Sequence, residues 1–171
     1  LFAALELAEA LSEAGVQAIT GLTLDVVEPG VTGEVGTLAL IAKNEAGYRN
    51  LMELSSKAFL TPAGDDKRVR IADVLAHADG LICLTGGHGG LFNRRAAAGR
   101  IDEVRAKLTE LAAAFPGHLY VELQRHGLPE EIAAEGPLVD LAYELNLPLV
   151  ATNDARFAKP EQHSVHDVLM C

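Results

Sequence analysis

In the string VATNDARF (residues 150–157), an apolar run ends on a carboxylate, and a permanent cation follows two residues later. Leu149 and Val150 read as strand, so Asp154 falls just past a strand end, where α/β folds gather their ligands and catalysts. An Asp-x-His pair there holds a metal. Asp154 and Arg156 make an ion pair instead, because a guanidinium offers no lone pair. An Asx turn is the plainer alternative for Asp154.

Other strings carry weaker chemistry. GGHGG (residues 86–90) follows an expected strand and precedes an expected helix, where backbone N–H groups can cradle a phosphate. It has neither the dinucleotide-binding nor the P-loop spacing, so a flexible loop is the favoured reading. The six His are 77, 88, 118, 126, 163 and 166. His163 and His166 share a helical face by their spacing of three. His126, in QRHG at another strand end, is a weak ligand candidate. Such a His more often bonds a loop carbonyl. NRR (residues 93–95) and DDKRVR (residues 65–70) are the tight basic clusters, read as solvated faces because acidic residues surround them. No Ser or Cys sits in a nucleophile elbow.

These residues need elements to position them. The 171-residue chain is 49% hydrophobic with few aromatics, so Ala and Leu fill its core. Helices are expected over Phe2–Ala14 (closed by Gly15 in a left-handed conformation), residues 44–59 (capped by Asn44, with Tyr48, Leu51, Met52 and Leu54 near one face), 71–78, 102–115 and 130–145. Gly136 and Pro137 are expected to split the last of these and start a second segment at Leu138. Pro160 opens a final helix. Strands are expected at VQAIT, LDVV, TLALIA, GLICLTG, HLYVELQ and LPLVAT, with loops at EPGVTGEVG and TPAGDDKRVR. Alternating strands and helices, with strands apolar on both faces, mark a mostly parallel sheet covered by helices, in a barrel or a doubly wound sheet. The ends of VQAIT, TLALIA, GLICLTG and LPLVAT are then expected on one rim.

The formal charge of −10 opposes nonspecific phosphate binding. Two Cys, 83 and 171, give no disulfide framework and no zinc spacing. No stretch is long and apolar enough for a membrane span, and the expected compartment is cytoplasmic. The chain opens without Met on an amphipathic pattern and reads as a piece of something longer.

NEAGYRNLMELSSKAF, GLICLTGG, LYVELQRHG, LPLVATNDARF and HDVLMC, in this order and spacing, resemble the polymerase-and-histidinol-phosphatase (PHP) domain of the replicative DNA polymerase III alpha subunits of bacteria, with the error-prone paralogues second. The opening residues resemble the segment that follows the family's first metal motifs. The resemblance implies a fragment of a distorted (β/α)7 barrel over residues 1–171. It has no internal boundary and lacks the first strand and first metal motifs.

In active members, His, Asp, Glu and Cys at the strand ends bind metal ions. The resemblance puts a Glu where this chain has Thr23, a His where it has Thr37, and a Cys or His where it has Gly87. It keeps Asp154 and replaces a His by Arg156. A one-residue shift would put His88 in place of Gly87 and restore one ligand. The resemblance thus implies a vestigial site at Thr23, Thr37, Gly87, Asp154 and Arg156, with no catalytic, cofactor or metal-binding residue. Arg156 would neutralise Asp154 in a dry barrel mouth.

The parent would be a template-directed DNA polymerase of chromosome replication, with magnesium at a polymerase site outside this fragment. The fragment would be a scaffold for the remainder of the alpha chain and for the proofreading exonuclease subunit. DNA would be met mainly through the parent. The alternatives are a live metal-dependent PHP phosphoesterase or 3′-5′ exonuclease, and a stand-alone sugar- or nucleotide-binding α/β protein.

Overall fold

A computed structural model describes residues 3–28, 34–62 and 67–170. Its elements in chain order are α1 (Ala4–Glu13), β1 (Gly21–Val27), β2 (Val35–Ala42), α2 (Glu45–Leu60), β3 (Arg68–Arg70), α3 (Ile71–Ala76), β4 (Leu81–Leu84), α4 (Leu91–Ala97), α5 (Ile101–Ala114), β5 (Leu119–Leu123), α6 (Pro129–Glu144), β6 (Leu149–Ala151) and α7 (His163–Met170). The six strands form one sheet in the order β3-β1-β2-β4-β5-β6. The expected class holds: α/β, a mostly parallel sheet covered by helices. The sheet is not closed, and β3 and β6 are its edges.

β2 runs antiparallel to both of its neighbours, β1 and β4, while the pairs β1–β3, β4–β5 and β5–β6 are parallel. The expected common rim is therefore corrected for VQAIT and TLALIA: their ends, Thr20 and Ala42, lie side by side at the opposite rim, and Thr37, at the start of TLALIA, faces the site. The cause is the short return between β1 and β2. A parallel partner needs a long crossover, whereas a short connection makes a hairpin. Most of the EPGVTGEVG turn, residues 29–33, lies outside the described residues.

Alternation places Leu24, Val26, Leu38 and Leu40 on the buried face of β1 and β2. Leu51 and Leu54 of α2, Phe92 of α4, Val104, Leu108 and Leu111 of α5, and Leu138 and Leu141 of α6 join the same core. The opposite face, carrying Thr23, Thr37 and Ala39, stays partly open to solvent.

Several local expectations hold. The Asn44 side chain accepts a hydrogen bond from the Gly47 amide at 3.0 Å and caps α2. Gly15 has φ +70° after α1. Others are corrected. VQAIT is not a strand; the ladder starts at Gly21, and Val16 and Ile19 are exposed. Arg68–Arg70, expected as loop, pairs as β3 with β1; residues 63–66 lie outside the described residues. Met52 points outward, leaving Gly47, Leu51, Leu54 and Ala58 as the buried stripe of α2. The helix α6 runs unbroken through Pro137. It forgoes one backbone hydrogen bond there, and burial of Ala134, Leu138, Leu141 and Ala142 outweighs that loss.

The NRR cluster is not a solvated face. Asn93 and Arg95 are buried, and only Arg94 is exposed. Arg95 pairs with Glu28 and, at 2.9 Å, with Glu34, the residues on either side of the β1–β2 turn. Lys107 of α5 holds Glu28 at 2.7 Å, and Arg100 also pairs with Glu34. The hairpin is thus pinned to α4 and α5 by charge. Burial pushes the Glu28 carboxyl up, but hydrogen bonds from Lys107 and Arg95 outweigh it and hold the group below its usual range.

Candidate functional site

Thr23, Thr37, Gly86, His88, Glu122, Gln124, Asp154 and Arg156 line part of one open cleft of about 510 Å³. Thr23 comes from β1 and Thr37 from β2, both on the sheet face turned away from the core. Gly86 and His88 come from the turn after β4, Glu122 and Gln124 from β5 and its end, and residues 153–156 from the segment after β6. The fold therefore brings four of the five sequence-derived positions to one place. The fifth, Gly87, is buried at its edge.

The glycine turn is tightly packed, which corrects the expectation of a flexible loop. Gly86 and Gly87 have φ +88° and +54°, in the region that favours glycine. A β-carbon on Gly86 would lie 2.0 Å from the Thr37 carbonyl oxygen. The Thr37 hydroxyl donates to the Gly86 carbonyl at 3.1 Å, tying β2 to the turn. The turn's amides are also used within the protein: Gly86 N–H donates to Glu122 Oε2 at 2.9 Å, His88 N–H to Gln124 Oε1 at 3.3 Å and Gly90 N–H to the Gly87 carbonyl at 2.9 Å. Three of the turn's amides are thus engaged within the protein and not turned to a ligand.

Glu122 and Gln124 are the site residues the sequence reading missed. Glu122 is a buried carboxylate in an apolar strand, and that contrast in YVELQ was the available signal. Its Oε1 accepts from the Thr152 hydroxyl, and its own amide donates to Thr85 Oγ1 at 2.9 Å. Gln124 Nε2 donates to Thr152 Oγ1 at 3.1 Å, completing a bridge from β5 to the chain leaving β6. A β-carbon on Gly87 would lie 2.3 Å from Gln124 Cδ, so the Gln124 amide fills the space beside that position. Burial pushes the Cys83 thiol behind this network up to about 12, with the Glu122 charge adding to the shift, so Cys83 stays a neutral core group.

Asp154 and Arg156 form the expected ion pair, with Arg156 Nη2 2.5 Å from Asp154 Oδ2. The mouth is not dry. The two side chains are 39% and 57% exposed, so water screens the pair. The hydrogen bond to Asp154 raises the Arg156 pKa, which keeps the guanidinium charged beside the cleft.

The histidines separate into local sets. His163 and His166 pack edge-on or tilted against Phe157, with ring centroids 5.7 and 5.9 Å away. His77 bonds the Asp73 carbonyl and Glu53, and His118 contacts Lys43. His126 does not bond a loop carbonyl. Its Nδ1 lies 2.7 Å from Oε1 of the buried Glu131, whose Oε2 accepts from the His126 and Leu128 amides at 2.7 and 3.2 Å. Burial pushes the Glu131 carboxyl up, but these bonds hold it below its usual range.

No helix among the described residues is long and apolar enough to cross a membrane. Comparison with known proteins fits the architecture. The chain is 46% identical over 179 aligned residues to the DNA polymerase III subunit alpha of Caulobacter vibrioides, covering all of this chain and 16% of that protein. It is 37% identical to the subunit of Rickettsia bellii and 36% to that of Treponema pallidum, covering all of this chain and 14% and 15% of those proteins. The chain thus spans about one-seventh of the length of these relatives. The PHP domain matches residues 1–126, a stretch running from α1 past β5 and including the Thr23, Thr37 and Gly87 side of the cleft. On that match, the chain belongs to the PHP domain family.

Proposed function

We propose that this chain is the PHP region of a DNA polymerase III alpha subunit, a cytoplasmic enzyme of template-directed DNA synthesis in chromosome replication. In this reading the PHP cleft is a non-catalytic scaffold. It supports the rest of the alpha chain and the proofreading exonuclease subunit, and the magnesium of synthesis belongs to a polymerase site outside these residues.

The observation that carries the scaffold reading is the filling of the family's metal positions. Thr23 and Thr37 offer neutral hydroxyls, poor substitutes for the imidazole and carboxylate donors of transition-metal sites, and Thr37 already binds the Gly86 carbonyl. Gln124 fills the space beside Gly87. Arg156 places a cation on Asp154, the one ligand-type side chain left among the five. This donor set does not fit the family's metal cluster, and no hydrolytic step is assigned to it.

The test is made on the natural protein that contains this chain. It extends a primer on a DNA template, and Asp154→Asn leaves that extension intact. With manganese or zinc added, removal of 3′-terminal nucleotides stays at background. Nucleotide removal that disappears in Asp154→Asn would overturn the scaffold reading. Absence of primer extension would overturn the polymerase reading.

A further inference from the structure

We propose that His88, His126 and Glu131 form a binding site for a single zinc-class divalent ion at the edge of the cleft. None of the three is among the five positions implied by the family resemblance. The proposal departs from the expectation that this chain holds no metal, and it stands independently of the scaffold reading.

The three side chains come from separate places: the turn after β4, the loop after β5, and the first turn of α6. One ligand atom from each lies within 4.8 Å of the other two. Two imidazoles and a carboxylate are a donor set zinc accepts, with a fourth position left for water. The His88 and His126 rings stand 5.8 Å apart at 77°, edge to face, so neither blocks the other by stacking.

Each ligand is already oriented from behind or beside. Nδ1 of His88 lies 3.0 Å from Gln124 Oε1, leaving the other ring nitrogen without a protein partner among the described residues. Glu131 is fixed through Oε2 by two backbone amides, while Oε1 faces His126. This is the outer support that metal-binding imidazoles and carboxylates need. Zinc–nitrogen bonds of about 2.0–2.1 Å place tetrahedral ligand atoms about 3.3 Å apart, so the His126–Glu131 pair, 2.7 Å apart, opens slightly and His88 closes in by a modest side-chain rotation. His88 is exposed and free to make it. The ion takes the place of the hydrogen in the contact between His126 Nδ1 and Glu131 Oε1, and the neutral imidazole carries its one proton on Nε2 instead.

Zinc and cobalt(II) are titrated into the metal-stripped natural protein by calorimetry and visible absorption. One high-affinity site is expected, with a cobalt spectrum of low coordination number. His88→Asn and His126→Asn should each weaken zinc binding by at least about 100-fold. Gln124→Ala, which removes the support for His88 together with the link to Thr152, should weaken it about tenfold. Glu131→Gln keeps an oxygen to accept from the His126 and Leu128 amides, so its loss of affinity reads the ligand and not the helix cap. Asp154→Asn and His163→Asn should leave the site unchanged. No zinc binding, binding indifferent to both His88→Asn and His126→Asn, or binding lost in Asp154→Asn would each overturn the proposal.

Discussion

Glu122 and Gly86 are joined across the floor of the cleft, with the Gly86 amide donating to Glu122 Oε2 at 2.9 Å. The carboxylate also accepts from Thr152, so one buried side chain holds the β4 turn and the segment after β6 together. Glu122→Ala leaves the Gly86 amide and the Thr152 hydroxyl without this acceptor. Leaving a buried donor unsatisfied costs about 1–3 kcal/mol. Denaturant unfolding should show a loss in that range, with Glu122→Gln losing less because one acceptor oxygen remains. An unchanged midpoint for Glu122→Ala would show that the bridge contributes nothing.

The Asp154–Arg156 pair is short but wet. A double-mutant cycle with Asp154→Asn and Arg156→Ala should give a coupling of about 0–1 kcal/mol, the range of exposed ion pairs. It should shrink further in high salt. A coupling of several kcal/mol would mean that the mouth is covered in the native protein.

Arg95 is the opposite case, at 3% side-chain exposure between Glu28 and Glu34. Removing one partner of a buried pair costs about 3–5 kcal/mol. Lys107 and Arg100 still reach the two carboxylates here, so Arg95→Met should fall near the lower end, about 3 kcal/mol. Equilibrium unfolding of the variant checks this. A loss below about 0.5 kcal/mol, the usual scale of a surface change, would contradict the burial of the pair.

Acid should weaken the fold through this network and through the separate Asp73 pairs with Lys57 and Arg70. Hydrogen bonds from Arg and Lys outweigh burial at Glu28 and Glu34 and hold both carboxyls below the usual 4.5. At Asp73, hydrogen bonds from Lys57 and Arg70 hold the carboxyl below 3.8. A carboxyl depressed in the folded state stabilises it fully above the unfolded-state value and loses that contribution as pH falls through the folded-state value. Stability should therefore be flat in these groups near neutrality and drop below about pH 4.5. Unfolding midpoints followed from pH 7 to 3 should show a shallower acid slope in Glu28→Gln/Glu34→Gln. An identical slope in the variant would exclude Glu28 and Glu34 as the source.

The sequence revealed features that depend on neighbours in the chain: Asn44 as a cap, Gly15 as a left-handed stop, and the alternation of helices and strands. It also placed Thr23, Thr37, Asp154 and Arg156 in one cleft, because motif order carries the barrel's geometry. It misread features decided by distant partners. VQAIT has strand-forming residues but no paired strand among the described residues, while RVR becomes a strand because β1 lies beside it. Pro137 reads as a helix breaker until the buried face of α6 is counted. Glu122, Gln124 and Arg95 owe their roles to partners 28 to 67 positions away, which no local pattern reports.

The antiparallel return from β1 to β2 also sets an order of assembly. Its ladder runs from Gly21–Ile41 to Val27–Val35, so every pairing is made within a short loop. Such hairpins close in about 1–10 μs, whereas parallel strands wait for their crossovers. During synthesis the hairpin can pair while Glu28 and Glu34 still lack Arg95, which follows them by 67 and 61 residues. Two like charges then sit at the hairpin mouth until α4 is made, and the arrival of Arg95 locks what the ladder had aligned. Pulsed hydrogen exchange during refolding should protect the amides of β1 and β2 before those of β5 and β6, and Arg95→Met should delay only the later protection. Simultaneous protection of all four strands would replace this order with a single concerted step.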